Sequence, residues 1–230
     1  ASGRQSISFV GPDAAPCEGL LYAPTADAEP LQDSPPGLLL IPMVAKDRYS
    51  WDAFAREAQT AGFMSLAIDL PYAYQAPAPD EKDQALATLA IAKKVLIERG
   101  ADPDDIVVVG ASLGANLAAH FLSADPALFA AVLISPGLEY RGVVCDRDLL
   151  QAAGRRPVLV MVAKGDSYAA STARALREEA AGLFELREYE GAAHGTDLLE
   201  RSEHATAQAL VWLDQMLNRA PETATEDTPK

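Results

Sequence analysis

The chain is poor in the residue types that bind metals or form disulfide frameworks. Its 230 residues include only two cysteines, Cys17 and Cys145, and three histidines. These residues form no cluster at the spacing of zinc ligands. The sequence also contains neither a Walker A lysine motif nor a G-x-G-x-x-G pattern after a strand. We therefore expect no metal and no cofactor.

Long apolar runs and basic residues are also scarce. No segment approaches the roughly 18 uninterrupted apolar residues that span a bilayer, so the sequence predicts no membrane span. Lys and Arg number 19 against 33 Asp and Glu, which gives a net charge of −14. An acidic surface disfavours nucleic acid and anionic membranes, and mildly favours neutral or cationic substrates. We expect no nucleic-acid partner, and the oligomeric state stays open.

The length favours one domain with a sizeable core. An α/β chain of this size can bury roughly 70–75% of its unfolded surface. We assign residues 1–218 to a single domain. Residues 219–230 contain Pro, Thr and Glu without an apolar pattern, which predicts a disordered tail.

Strand-like and helical patterns alternate along the chain, which predicts a mainly parallel sheet covered by helices on both faces. Ser6–Val10 and Gly19–Tyr22 form a predicted antiparallel opening pair. Ser50 is the predicted cap of a helix that runs to Ala61. Residues 137–156 are expected to be an irregular connection, and 197–218 one closing helix.

The most informative segment is Gly110-Ala111-Ser112-Leu113-Gly114. It follows the β-branched run Ile106–Val109 and precedes a helical pattern over 115–122. G-x-S-x-G between a strand and a helix is the context of a nucleophile elbow, which exposes the serine hydroxyl at the carboxyl end of a sheet. Ser112 is therefore the predicted nucleophile.

Over about residues 5–218 the chain resembles the α/β-hydrolase superfamily, in the compact form of esterases and dienelactone hydrolases. The resemblance implies an α/β-hydrolase fold with a mainly parallel eight-stranded sheet, helices on both faces and no large cap. It also implies a catalytic serine, acid and histidine in that order along the chain. In this strand order Cys17 and Cys145 lie too far apart to be bridged, so we expect free thiols.

The base that activates Ser112 is expected to be His194. It follows the last predicted strand, Phe184–Tyr189, in a loop of small residues, Gly191-Ala192-Ala193-His194-Gly195. Loops at the carboxyl ends of strands carry the reacting groups of such folds. His120 lies two turns along the elbow helix and cannot return to the elbow. His204 falls within the predicted closing helix.

The acid that orients the histidine is expected to be Asp166, which follows the predicted strand Val158–Ala163. A carboxylate at the carboxyl end of another strand can hold the imidazole and stabilise its cation. Asp146, Asp148 and Asp69 are weaker candidates.

Two backbone amides are expected to bind the oxyanion. The resemblance implies that one belongs to Leu113, directly after the nucleophile. It places the other in the turn after Leu38–Ile41, at Val44. Related hydrolases usually have His-Gly-x there, whereas this chain has Pro42-Met43-Val44.

Four side chains are predicted to contact substrate, because their segments open on the reacting face: Met43, Tyr72, Leu138 and Tyr168. The connection over 137–156 is too short for a helical cap domain. We therefore expect a shallow, open site for a small-molecule ester.

The sequence as a whole predicts a serine esterase that acts through an acyl-enzyme. A peptidase or amidase, a thioesterase or acyltransferase, and a binding module without catalysis on the same fold remain alternatives. The chain begins at Ala1 and not at a methionine. This favours export, to a periplasm or outside the cell, over the cytoplasm.

Overall fold

The computed structural model describes residues 3–25, 28, 34–70, 81–180 and 182–218, and they form a sheet with helices on both faces. The strands are β1 (Arg4–Val10), β2 (Pro16–Tyr22), β3 (Gly37–Ile41), β4 (Met64–Ile68), β5 (Ile106–Ala111), β6 (Ala130–Ile134), β7 (Glu139–Tyr140), β8 (Val143–Val144), β9 (Val158–Ala163) and β10 (Phe184–Tyr189). The helices are α1 (Asp52–Thr60), α2 (Glu81–Glu98), α3 (Leu113–Ala124), α4 (Arg147–Ala152), α5 (Ser167–Glu179), α6 (Thr196–Arg201) and α7 (Ala205–Leu217).

Eight strands form the main sheet, in the order β1-β2-β4-β3-β5-β6-β9-β10. Strand β2 pairs antiparallel with both of its neighbours, and the other neighbouring pairs are parallel. The predicted eight-stranded, mainly parallel sheet is confirmed. Because β5, β9 and β10 run in the same direction, the loops that follow them meet at one edge.

The core lies on both faces of the sheet because side chains alternate along each strand. On β5, Val108 packs into the cluster that α2, α3 and α5 cover. Its neighbours Val107 and Val109 pack into the opposite cluster, with Phe54 of α1 and Trp212 of α7. A continuous apolar strand is buried in this way on both sides, as in other parallel sheets.

The structure corrects three local predictions. The helix expected from Ser50 starts as a 3₁₀ turn, and the carboxylate of Asp47 caps it by accepting a hydrogen bond from the Tyr49 amide. The expected closing helix is divided into α6 and α7, because His204 adopts a left-handed conformation with φ of +66°. The connection 137–156 contains the β7–β8 hairpin and the short helix α4.

Both cysteines are free, as expected, and both are buried. Cys17 lies on β2 and Cys145 follows the β7–β8 hairpin. In the described ranges, none of the helices combines the length and the apolar character that crossing a membrane requires.

Candidate active site

Ser112 lies in a sharp turn between β5 and α3. Its φ of +54° and ψ of −119° belong to a region that side chains rarely adopt and that is found at functional sites. The two glycines of the motif make this turn possible. A Cβ on Gly110 would lie 2.0 Å from the carbonyl oxygen of Gly114, and one on Gly114 would lie 2.5 Å from the carbonyl oxygen of Ile41.

The structure brings Ser112, His194 and Asp166 into one hydrogen-bonded chain. Nε2 of His194 lies 2.8 Å from the Oγ of Ser112, and Nδ1 lies 2.6 Å from Oδ2 of Asp166. When Nδ1–H donates to the carboxylate, Nε2 is left to accept the serine proton. The arrangement is therefore able to perform base-assisted attack by a serine hydroxyl.

Backbone hydrogen bonds join the loop of Asp166 to the loop of His194. The amide of Lys164 donates to the carbonyl of Tyr189 at 2.8 Å, and the amide of Gly165 donates to the carbonyl of Gly191 at 2.8 Å. The two loops approach so closely that a Cβ on Gly165 would lie 2.7 Å from the Gly191 oxygen. This contact fixes the acid relative to the histidine.

Ser135, directly after β6, holds the other side of the histidine loop. Its Oγ accepts a hydrogen bond from the amide of Gly195 at 3.0 Å, next to His194. Ser135 is fully buried and has a φ of +51°. Sequence motifs do not identify Ser135, although its position at the carboxyl end of a strand is a signal for a residue near the site.

Tyr140 of the β7–β8 hairpin covers the histidine. Its ring stands edge-on to that of His194, with centroids 6.0 Å apart, and edge-on to Tyr168 at 5.6 Å. The phenol donates a hydrogen bond to the carbonyl of Ser135 at 3.4 Å. Burial raises the pKa of the phenol, the charge of Asp166 adds to this rise, and the nearby Ser112 acts in the opposite direction. The phenol thus lies beside Ser112, as expected for a segment that the sequence places on the reacting face.

Of the two predicted oxyanion residues, Leu113 lies within the elbow and Val44 in the turn after β3. Leu113 is the first residue of α3, where amide groups have no partner within the helix and the helix dipole is positive. Val44 lies in a turn that the Lys46 amide closes onto the carbonyl of Met43 at 3.2 Å, with Ala45 at a φ of +60°. The close approach of Gly114 to Ile41 and Pro42 brings the start of this turn against the elbow.

The four predicted substrate-binding residues lie in different surroundings. Met43 packs against the histidine loop, where a Cβ on Gly195 would lie 2.5 Å from its sulfur. Leu138 and Tyr168 line a cavity of about 370 Å³ between the hairpin, α4 and α5. Tyr72 lies outside the described residues.

The two other histidines have separate partners. Nε2 of His120 lies 2.8 Å from the carbonyl oxygen of Val144, so this residue holds the hairpin to α3. Burial lowers its pKa, although the carbonyl acts in the opposite direction. His204 is exposed and lies 3.2 Å from the carboxylate of Glu203.

The weaker acid candidates also have other partners. Asp69 forms an ion pair with Arg48, and Asp146 caps α4 by accepting from the Leu149 amide at 3.0 Å. Asp148 lies exposed in the first turn of that helix. Among the residues for which the structure gives positions, no three His, Cys, Asp or Glu side chains are grouped as metal ligands would be.

A protein-family model matches the middle of the chain. A family model described as the alpha/beta hydrolase fold matches residues 43–149. This segment includes Val44, Ser112 and Leu113 but ends before Asp166 and His194. A search among curated proteins finds no significant match.

Solved structures of esterases and dienelactone hydrolases share the fold. A thermostable carboxylesterase cloned from a metagenomic library superposes with a TM-score of 0.73 at 18% identity, over 94% of this chain and 90% of that one. An esterase from Pyrobaculum calidifontis has a TM-score of 0.68 at 20% identity, over 93% of this chain and 85% of that one. A dienelactone hydrolase from Anabaena variabilis has a TM-score of 0.66 at 17% identity, over 94% of this chain and 97% of that one. By its sheet order, its matched segment and these structural neighbours, the chain is an α/β-hydrolase-fold protein that resembles esterases and dienelactone hydrolases in architecture.

Proposed function

We propose that the protein is a serine hydrolase that cleaves carboxylic esters. The observation that carries this proposal is the chain of contacts from Ser112 Oγ to His194 Nε2 at 2.8 Å and from His194 Nδ1 to Asp166 at 2.6 Å. The strained serine at the start of α3 and the esterase fold of the structural neighbours support it.

The proposed reaction begins when Ser112 Oγ forms a bond to the ester carbonyl carbon while Nε2 of His194 takes the serine proton. Asp166 stabilises the resulting imidazolium. The amides of Leu113 and Val44 bind the negative oxygen of the tetrahedral intermediate. The C–O bond to the alcohol then breaks, and the alcohol leaves with the proton from His194. Water, deprotonated by His194, attacks the acyl-enzyme and releases the acid.

The surroundings of the site favour small, uncharged esters. Between β6 and β9 the chain forms only a two-stranded hairpin and the six-residue helix α4, so this connection supplies no large cap. The net charge of −14 works against anionic substrates.

Hydrolysis of p-nitrophenyl acetate tests this function. We expect turnover by the wild-type protein. Ser112→Ala and His194→Ala should each lower kcat by several orders of magnitude, up to about 10⁶ as in a well-studied triad of another fold. Asp166→Asn should lower kcat by about 10⁴ because it favours the wrong histidine tautomer.

Ser8→Ala is the matched control, since Ser8 is an exposed serine on the edge strand β1. It should leave kcat unchanged. Absence of turnover by the wild-type protein would contradict the proposed function, and an unchanged rate in Asp166→Asn would contradict the assignment of the acid.

A further inference from the structure

A cavity of about 370 Å³ lies next to the candidate active site, between α5 on one side and the β7–β8 hairpin and α4 on the other. Much of its wall is apolar, with Leu138, Tyr168, Ala175 and Leu176 among the lining residues. Cys145 adds a thiol whose pKa burial raises to about 12, so this wall residue is neutral at physiological pH.

Three polar side chains at the cavity, those of Asp146, Arg147 and Thr172, have partners within the protein. The carboxylate of Asp146 accepts from the Leu149 amide, and the guanidinium of Arg147 lies within hydrogen-bonding distance of the Gln151 side-chain amide. The hydroxyl of Thr172 donates to the Tyr168 carbonyl at 3.0 Å and accepts from the Leu138 amide at 3.0 Å. These groups are already used, which favours an apolar occupant over a charged one.

Two aromatic contacts connect the cavity to His194. Tyr168 lines the cavity and packs on Tyr140 at 5.6 Å, and Tyr140 packs on His194 at 6.0 Å. Leu138 and Tyr168 remain 54% and 46% exposed. Packed aromatic rings therefore lead from His194 to the cavity, and exposed apolar surface such as that of Leu138 and Tyr168 commonly marks a binding site.

We propose that this cavity binds the linear apolar chain of the ester that Ser112 cleaves. The proposal rests on the proposed esterase function and assigns its substrate class. The volume lies near the lower end of the about 300–1,000 Å³ range of ligand pockets, which suits an aliphatic chain. Each methylene that enters should raise kcat/KM by up to about fourfold.

Chain-length kinetics with a cavity-filling variant test the proposal. Ala175 lies on the exposed side of α5 at the cavity, so Ala175→Trp should fill the space without disturbing the core. We expect it to lower the ratio of kcat/KM for the hexanoyl over the acetyl p-nitrophenyl ester by at least about tenfold. A parallel comparison of hexyl acetate with ethyl acetate shows whether the chain on the alcohol side uses the cavity instead.

Ala207→Trp is the matched control, because Ala207 is an exposed alanine of α7 that lines surface depressions away from the cavity. It should leave both ratios unchanged. Equal ratios in wild type and Ala175→Trp, for both ester series, would overturn the proposal. Equal decreases of these ratios in Ala175→Trp and Ala207→Trp would also overturn it.

A binding measurement separates this proposal from the esterase function on which it rests. The Ser112→Ala protein is titrated with hexanamide while the methyl signals of Leu138 and Leu176 are followed by NMR. We expect these signals to shift in the Ser112→Ala protein. They should stay unshifted in the double variant that also carries Ala175→Trp. Shifts together with absent ester turnover in the wild type would sink the esterase function but retain the cavity site. Unshifted methyl signals would overturn the cavity site even if esters are hydrolysed.

Discussion

The ring of Tyr140 stands edge-on to the imidazole of His194, with the centroids 6.0 Å apart and the planes at 80°. Edge-to-face aromatic pairs contribute about 0.5–1.5 kcal/mol beyond the area that they bury. Tyr168 packs against the Tyr140 ring, with the two ring centroids 5.6 Å apart. The hairpin therefore restrains the orientation of His194, independently of the carboxylate at the other edge of the imidazole.

Replacement of Tyr140 separates its ring from its hydroxyl. Tyr140→Phe keeps the ring contacts with His194 and Tyr168 and loses only the hydroxyl beside Ser112. Tyr140→Ala loses the ring and the hydroxyl together. We expect Tyr140→Ala to lower kcat for p-nitrophenyl acetate by about tenfold, and Tyr140→Phe to retain most of the activity. Equal activity of wild type and Tyr140→Ala would show that the ring does not position His194.

Ser135 is expected to matter for both stability and rate. Ser135→Ala removes the acceptor of the Gly195 amide, and a buried unsatisfied donor costs about 1–3 kcal/mol. The free energy of unfolding should fall by this amount, and kcat should fall because the loop of His194 loosens. Urea unfolding and ester kinetics measure the two effects. Ser8→Ala on the exposed edge strand is the control, and the prediction is wrong if both variants behave alike.

The elbow glycines are expected to tolerate no side chain. Gly110→Ala would place its Cβ 2.0 Å from the Gly114 oxygen, which the backbone can relieve only by moving the turn that carries Ser112. We expect loss of soluble protein or of activity. Gly154→Ala is the contrast, because its Cβ would meet no atom within 4 Å at a φ of +74°. It should cost only about 1–2 kcal/mol of backbone strain, and similar thermal stability of the two variants would contradict the prediction.

The stability of the fold should depend on pH through Asp52. Burial acts to raise the pKa of this carboxyl, but hydrogen bonds from Arg56, Tyr22 and Arg4 outweigh it and lower the pKa to about 2. Since the unfolded value is about 3.9, this stabilisation is present above that pH and is lost as the pH falls towards 2. Asp52→Asn should lower the Tm at pH 7, with a difference from wild type that narrows towards pH 2.

Asp148→Asn provides the control for this measurement, because Asp148 is an exposed carboxylate in the first turn of α4. Its Tm should stay close to that of the wild type across the same range. A constant difference between Asp52→Asn and wild type from pH 7 to pH 2 would contradict the ionic origin of the effect.

The features that could be predicted from the sequence depend on local patterns. The β-branched run before Gly110 and the helix after Gly114 identify the elbow without long-range information. The strands Val158–Ala163 and Phe184–Tyr189 have the predicted bounds. The loops of Asp166 and His194 follow these strands, so the parallel sheet brings them to the edge where Ser112 lies.

The missed features depend on conformations or contacts that sequence patterns do not encode. His204 and Ser135 have positive φ values, which are uncommon for residues other than glycine. The role of Tyr140 arises from a hairpin that folds back over the site, and two-residue strands are too short for a periodic signal. The capping of the 3₁₀ turn by Asp47 instead of Ser50 reflects a choice between two residue types that both favour caps.

We expect Ser112 to react as a nucleophile that His194 activates. The most direct test is the intact mass of the native protein after treatment with a fluorophosphonate, followed by peptide mapping. We predict a single adduct on Ser112 that is absent in Ser112→Ala and formed at least about a hundredfold more slowly in His194→Ala. Native protein that forms no adduct, or an adduct on another residue that persists in Ser112→Ala, would contradict the claim.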